Sequence, residues 1–278
     1  MQDKTVFITG ATSGIGQETA LALAKKGAAI VFTSRDPEKG KLVQKELIKR
    51  SNNKNIHLIF CDLASFDSIR NCCDEFKFKF DKLNILVNNA AVWDFKRRES
   101  QDGIENTLAT NYLAPFLMTN MLMDTIKKSS PARIINLTSG LHYGTINFKD
   151  IEFKRKFGGF KAYKQSKLAD ILFTRLLAKK LDGTGITVNC VHPGMVNTNL
   201  ARDAGWFMRG IFKIIGKPAH KGALTSIYLA TSPEVENITG EYFYKCRVRK
   251  SSKQSYDMEL AEKLWKVSEE YTGSKFKI

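Results

Sequence analysis

A glycine-rich turn near the start of the chain constrains the fold more than any other feature. The run TGATSGIG lies between an apolar, β-branched stretch at residues 5–8 and an Ala/Leu-rich helical pattern at residues 17–26. A strand-to-helix turn of this kind presents free backbone N–H groups and the positive end of a helix dipole, both of which suit a pyrophosphate. Glycine lets the backbone approach such a ligand closely. We therefore predict a dinucleotide-binding turn and not a tight turn without a ligand, made by Gly10, Thr12, Ser13, Gly14, Ile15 and Gly16.

Length and composition bound the class of protein. The 278 residues, 43% of them hydrophobic, suit a large core, and we predict one dinucleotide-binding and catalytic domain over residues 1–278. The turn comes too early for a signal peptide before the first strand, and no run of about eighteen apolar residues predicts a transmembrane helix. The five cysteines lack C-x-x-C spacing and the four histidines do not cluster. We expect reduced thiols, a cytoplasmic location and no metal site.

The net charge of +16 would suit nucleic acid or an anionic membrane. The lysines and arginines are nevertheless dispersed, with local clusters at residues 96–98, 154–156 and 247–253 that no aromatic recognition motif accompanies. We interpret them as a solvated basic surface and expect no nucleic-acid partner. A basic protein that binds membranes or nucleic acid remains an alternative, and a homo-oligomer is left open.

Strand and helix patterns alternate along the whole chain. This alternation predicts an α/β fold with a single doubly wound, Rossmann-type parallel sheet of about seven strands and helices on both faces. The predicted strands are residues 5–8, 28–33, 56–60, 85–88, 133–138, 186–191 and 241–244. The predicted helices are residues 17–26, 37–50 (with Asp36 as its N-cap), 65–80, 103–126 (a long helix containing Pro115), 162–181, 222–230 and 257–271.

Three polar positions are candidates for chemistry. Tyr163 and Lys167 are four residues apart in a helical pattern and so share one face, where the ammonium favours the phenolate and is expected to lower the pKa of Tyr163. Ser139 follows the fifth strand, where a hydroxyl can donate to a substrate oxygen. Asn111 lies inside a predicted helix, and since Asn is a poor helix former we expect it to make a specific hydrogen bond.

Together these motifs resemble the short-chain dehydrogenase/reductase family over almost the entire chain. The resemblance implies a catalytic tetrad in which Tyr163 transfers the proton, Ser139 orients the oxygen, Lys167 also binds the cofactor ribose and Asn111 supports a water. The family's NNAG motif appears as NNAA, in which Ala91 replaces glycine. By the same resemblance, cofactor contacts are expected from Asn89, Ala90, Tyr163, Lys167, Pro193, Gly194, Val196 and Thr198.

Three longer segments resemble the retinol dehydrogenase-like branch of that family. They are YKQSKLADILFTRLLAKKL, VHPGMVNTNL and EKLWKVSEEYTG, and the interval of 24 residues from Ser139 to Tyr163 is also typical of that branch. Many vertebrate members carry an N-terminal membrane anchor. No such anchor is seen before the glycine-rich turn, so membrane attachment is not carried over.

The end of the second strand bears on the choice of cofactor. Arg35 beside the small polar Ser34 is suited to the 2′-phosphate of NADP, whereas an NAD enzyme is expected to have a carboxylate there. Asp36 comes one residue late and is explained as a helix cap. Asp62 and Leu63 resemble the family's adenine-contacting pair, with a plain helix N-cap as the alternative for Asp62.

The substrate region is predicted by family topology. We expect contacts from Trp93, Leu141 and His142, and from an apolar segment at residues 205–216 that includes Trp206 and Phe212. This segment is interpreted as a lid, with a helix packed on the core and insertion into a membrane surface as alternatives. The favoured function is an NADP(H)-dependent oxidoreductase that interconverts a lipophilic alcohol and its aldehyde or ketone. A catalytically silent NADP(H)-binding regulatory protein is the second hypothesis.

Overall fold

Eight strands form one sheet in the order β3-β2-β1-β4-β5-β6-β7-β8 in a computed structural model that describes residues 1–196 and 216–276. All neighbouring strands run parallel except β7 and β8, which are antiparallel. The strands are β1 (Thr5–Ile8), β2 (Ala29–Ser34), β3 (Ile56–Phe60), β4 (Ile85–Asn88), β5 (Ala132–Leu137), β6 (Ile186–His192), β7 (Tyr242–Tyr244) and β8 (Arg247–Val248).

Helices cover both faces of the sheet. They are α1 (Gly14–Lys25), α2 (Pro37–Ser51), α3 (Phe66–Lys79), α4 (Asn106–Leu108), a π-helical segment (Ala109–Leu113), α5 (Ala114–Lys128), α6 (Gly159–Lys180), α7 (Ala219–Thr231) and α8 (Met258–Thr272), with 3-10 turns at Pro233–Val235 and Lys253–Tyr256. Asp36 caps α2 as predicted, since its carboxylate accepts a hydrogen bond from the backbone of Lys39 at 3.0 Å.

The central strands are apolar on both sides because both faces of the sheet are buried. Along β1, Phe7 packs with the helices of one face, whereas Val6 and Ile8 belong to the core on the other face. This division follows from the two-residue repeat of a strand. The order of the strands also sets the position of the cofactor crevice. The chain builds β2 and β3 on one side of β1 and then crosses back to place β4 on its other side, and in such sheets ligands bind at this point, beyond the carboxyl ends of the strands.

The predicted α/β sheet is confirmed, with two differences. The short strand β8 was not predicted; it pairs with β7 at the edge of the sheet and brings the number of strands to eight. The predicted single helix over residues 103–126 is wrong. It is divided into α4, the π-helical segment and α5, and Pro115 lies in the first turn of α5. Proline has no N–H to continue the ladder of an α-helix, so the preceding turn widens.

Several predicted residues lie outside the part of the chain that the structure describes. They are Thr198, Trp206 and Phe212, together with the rest of the proposed lid up to residue 215. None of the helices within residues 1–196 and 216–276 is both long enough and apolar enough to cross a bilayer.

Candidate active site

A groove of about 420 Å³ runs across the carboxyl ends of the parallel strands. Most of the residues predicted to bind a cofactor line it. They are Gly10, Thr12, Ser13, Gly14, Ile15, Gly16, Ser34, Arg35, Asp62, Leu63, Asn89, Ala90, Tyr163, Lys167 and Pro193, and Trp93 joins them from the predicted substrate region. Further lining residues that were not predicted to bind the cofactor include Lys39, Ala64, Asp94, Arg98, Asn106 and Thr110.

Asn89, which follows β4, holds the glycine-rich turn in place by hydrogen bonds. The side-chain amide of Asn89 donates to the carbonyls of Thr9 at 2.8 Å and Gly10 at 3.1 Å. Gly10 has a φ of +68°, which a side chain would strain, and a Cβ on Gly16 would overlap both the carbonyl of Gly10 and the amide of Asn89. The turn therefore needs glycine for its own packing, and it holds the N-terminus of α1 open toward the groove.

The opposite end of the groove carries a positive charge. Arg35 is exposed and lines the groove, and Lys39, in the first turns of α2, lines it as well. The hydroxyl of Ser34 is committed to the loop, because it donates to the carbonyl of Asp36 at 2.6 Å and accepts from its N–H at 3.2 Å. Ser34 thus shapes the turn that presents Arg35, and Lys39 is a second cation at this end of the groove, which the sequence did not predict.

Asp62 lies beside the groove and does not cap the next helix. Its carboxylate accepts hydrogen bonds from the N–H of Ala64 at 3.0 Å and the amide of Gln101 at 3.1 Å. The N-cap of α3 is Ser65, whose hydroxyl accepts from the N–H of Ser68. The alternative interpretation of Asp62 as a plain N-cap is therefore wrong.

Tyr163 is buried on α6 at the inner end of the groove. Its ring stacks on Trp93, with centroids 4.6 Å apart and an interplanar angle of 15°, and Ser139 interacts with its hydroxyl. The Nζ atom of Lys167 lies 5.9 Å from the centre of the ring. Burial raises the pKa of Tyr163, and the opposing effects of Lys167 and Ser139 are smaller. The expected net lowering of this pKa is therefore wrong for the protein without ligands.

Lys167 has a partner that sequence reasoning missed. Its ammonium donates to the carbonyl of Leu137 and to the carboxylate of Asp170, both at 2.9 Å. Burial raises the pKa of Asp170 to about 6, although the charge of Lys167 opposes this. The available signal was a carboxylate three residues after a lysine, which places both side chains on one face of a helix.

Asn111 makes the specific hydrogen bonds that its buried position predicts. In the π-helical segment its side-chain oxygen accepts from the N–H of Val92 at 2.7 Å. Its amide donates to the carbonyl of Val92 at 2.9 Å and to the hydroxyl of Ser166 at 3.1 Å. Asn111 thereby ties the loop that carries Trp93 to the helix that carries Tyr163.

Six predicted site residues in the described part of the chain are not among the groove lining, namely Asn111, Ser139, Leu141, His142, Gly194 and Val196. The buried ring of His142 accepts a hydrogen bond from the N–H of Ser252 at 3.0 Å, so its other nitrogen carries the proton and donates to the carbonyl of Ser139 at 2.8 Å. With both nitrogens bonded to backbone, His142 holds the loop after Ser139 and has no nitrogen free for substrate. Val196 is buried in the core.

His192 joins two loops at the site and gives a prediction for folding stability. Its Nδ1 atom accepts from the N–H groups of Gly140 at 3.0 Å and Gly194 at 3.3 Å, and burial lowers its pKa to about 4. Between pH 6.5 and about 4 the unfolded chain binds a proton at this residue and the folded chain does not. Stability should therefore fall as the pH falls through this window, by about 3 kcal/mol from His192 alone.

The variant His192→Asn tests this expectation, because its amide oxygen can take the place of Nδ1 as acceptor without titrating. Urea unfolding at pH 7 and pH 4 should show a smaller loss of stability on acidification in the variant than in the wild type. The opposite effect of Asp170, whose raised pKa favours the folded state on acidification, is common to both proteins. Equal losses in the two proteins would contradict the assignment.

The parallel sheet, the glycine-rich turn and the cluster of Ser139, Tyr163 and Lys167 together have the arrangement expected of a dinucleotide-dependent oxidoreductase. The family model described as short chain dehydrogenase matches residues 4–206. Mouse retinol dehydrogenase 13 is 40% identical over 97% of this chain and 84% of that relative, and human polyprenol dehydrogenase is 38% identical over 98% and 86%. A crystal structure of a putative uncharacterized protein from Mycobacterium paratuberculosis superposes with a TM-score of 0.83 at 28% identity, covering 100% of this chain and 96% of that one.

The chain belongs to the short-chain dehydrogenase family, within its retinol dehydrogenase-like branch. It is accordingly an oxidoreductase that acts on alcohols or the corresponding carbonyl compounds.

Proposed function

We propose that the protein is an NADP(H)-dependent oxidoreductase that interconverts a lipophilic alcohol and its aldehyde or ketone. The observation that carries this proposal is the meeting of Tyr163, Ser139 and Lys167 beside an aromatic wall, at the inner end of a groove that begins at Arg35. The groove therefore joins a site for proton transfer to a cation suited to a 2′-phosphate.

The groove fits a dinucleotide in shape and charge. The glycine-rich turn and the N-terminus of α1 would hold the pyrophosphate, Asp62 and Leu63 would flank the adenine, and Arg35 with Lys39 would bind the 2′-phosphate. Lys167 has a third N–H to offer the ribose, since two are taken by Leu137 and Asp170. The nicotinamide, when bound, supplies or accepts the hydride.

The chain's own residues handle the proton. Burial raises the pKa of Tyr163, so at neutral pH its hydroxyl is a phenol that can donate a proton to the oxygen of a carbonyl compound. Ser139 interacts with the same hydroxyl and would orient that oxygen. Asn111 fixes the loop of Trp93 against α6 and so keeps the aromatic wall in place.

The lipophilic substrate class is supported by aromatic side chains beside Tyr163. Trp93 stacks on Tyr163, and Phe95 and Phe160 pack on Trp93 with ring centroids at 5.3 and 5.9 Å, both partly exposed. Together these three rings form an apolar surface that extends from Tyr163 to the outside of the molecule. The two relatives named for retinol and polyprenol would also be consistent with a long apolar substrate.

Oxidation of NADPH by the purified chain should test this function against retinal, long-chain aldehydes, quinones and small aldehydes. We expect turnover with a lipophilic carbonyl compound. Trp93→Leu, which removes the flat ring but keeps an apolar side chain, should raise KM for that compound about tenfold and for a small aldehyde much less.

Phe78→Leu is the matched control, because Phe78 is 90% exposed on α3 and should leave both KM values unchanged. Tight binding of NADPH without turnover of any of these compounds would instead favour the silent regulatory protein. Retention on heparin that is salt-sensitive and independent of NADPH would favour the basic binding protein.

A further inference from the structure

Asp170, which the reaction described above does not use, forms a buried ion pair with Lys167. The side chains of Lys167 and Asp170 are only 2% and 4% exposed, and their charged atoms lie 2.9 Å apart. Lys167 is also held by the carbonyl of Leu137 on β5. A buried ammonium with two fixed acceptors has little freedom to move, so Leu137 and Asp170 together fix the position of the Lys167 charge.

The two other groups that interact electrostatically with Asp170 on neighbouring elements carry no charge at neutral pH. Tyr112, on the π-helical segment, and Cys190, on β6, both interact electrostatically with Asp170. Burial raises the pKa of Tyr112, and it raises the pKa of Cys190 to about 12. Arg175, further along α6, acts on Cys190, and its guanidinium donates to Ser255 and Ser251. Asp170 therefore opposes chiefly the charge of Lys167.

We propose that Asp170 is a positioning residue whose carboxylate holds the Lys167 ammonium and offsets its charge, so that Tyr163 stays protonated at neutral pH. A protonated Tyr163 is the form that donates a proton, so carbonyl reduction runs well at neutral pH and alcohol oxidation requires a higher pH. The overall equilibrium is unchanged, because Asp170 sets only the pH at which each direction is fast. This inference rests on the proton-transfer role proposed for Tyr163.

The test is the pH dependence of kcat/KM in Asp170→Asn, which removes the charge and keeps the shape. Tyr163 and Asp170 are seven residues apart, about 10 Å along the helix, and one charge at that distance acts appreciably at an effective dielectric constant near 20. The rising limb of oxidation and the falling limb of reduction should therefore both move down by about one pH unit.

Two further variants separate this role from a structural one. Glu105→Gln removes another buried carboxylate, which caps α4, and should lower stability without moving either midpoint. Asp170→Ser removes the same charge with a smaller side chain and should shift the midpoints as Asp170→Asn does. Either charge-removing variant suffices for the measurement if the other does not fold.

Midpoints that stay at the wild-type pH in a folded charge-removing variant would overturn the inference, as would an equal shift in Glu105→Gln. Turnover by the wild-type protein is measured in the same experiment. Its absence would refute the proposed function, whereas turnover with unmoved midpoints would refute only the role of Asp170.

Discussion

Replacing Tyr163 with phenylalanine should lower kcat for carbonyl reduction by about 10²- to 10⁴-fold, the range typical of a lost general acid. The substitution deletes one hydroxyl and leaves the ring that stacks on Trp93 at 4.6 Å. The groove lining and the ion pair of Lys167 do not depend on that hydroxyl, so the dissociation constant of NADPH should change little. Steady-state kinetics with the best lipophilic carbonyl compound, together with fluorescence titration of NADPH, would measure both quantities.

Tyr112→Phe is a matched control for this experiment. Tyr112 is a buried tyrosine whose hydroxyl bonds only within the core, to Ser268 at 2.7 Å. Its loss should lower stability by about 1 kcal/mol and leave kcat near the wild-type value. A Tyr163→Phe protein that kept more than about a tenth of the wild-type kcat would rule out the acid–base role.

The second large effect concerns the choice of cofactor. We expect the wild-type protein to prefer NADPH to NADH, and Arg35→Ala to narrow that preference about ten- to a hundredfold. The guanidinium of Arg35 is exposed at the edge of the groove, where a charge-assisted contact with the 2′-phosphate would contribute about 1.5–3 kcal/mol. KM for NADPH should rise while KM for NADH stays nearly constant, because NADH has no 2′-phosphate.

Two further variants make this test more specific, one at Lys39 and one at Arg50. Lys39→Ala should narrow the preference in the same direction, since Lys39 lines the same end of the groove. Arg50 is the matched control: it is an exposed arginine near the end of α2 that pairs with Glu46 and Glu18. Arg50→Ala should leave both KM values unchanged. Equal KM values of the wild-type protein for NADPH and NADH would refute the assignment of Arg35.

Short-range patterns were sufficient to predict the fold. Glycines at a strand-to-helix turn, apolar strands without alternation and the cap at Asp36 each depend on neighbours in sequence, and the structure has all three. The seven parallel strands follow from the same patterns. The spacing of Tyr163 and Lys167 also places them together, because a helix brings residues four apart onto one face. The sequence by itself thus determined the sheet, the groove and the identity of the main polar residues.

The tertiary structure determined the pKa values and the hydrogen-bond partners of the groups in and around the groove. The pKa of Tyr163 depends on burial by Trp93 and on Asp170, and desolvation by packing is not visible in the spacing of two residues. No residue near His142 in the sequence indicates a partner for its ring. The partner is the backbone N–H of Ser252, 110 residues further on, which donates a hydrogen bond to Nε2. Partners and burial of this kind arise only when distant segments meet. The sequence therefore determines which residues reach the site, whereas packing determines their protonation and their free hydrogen-bonding groups.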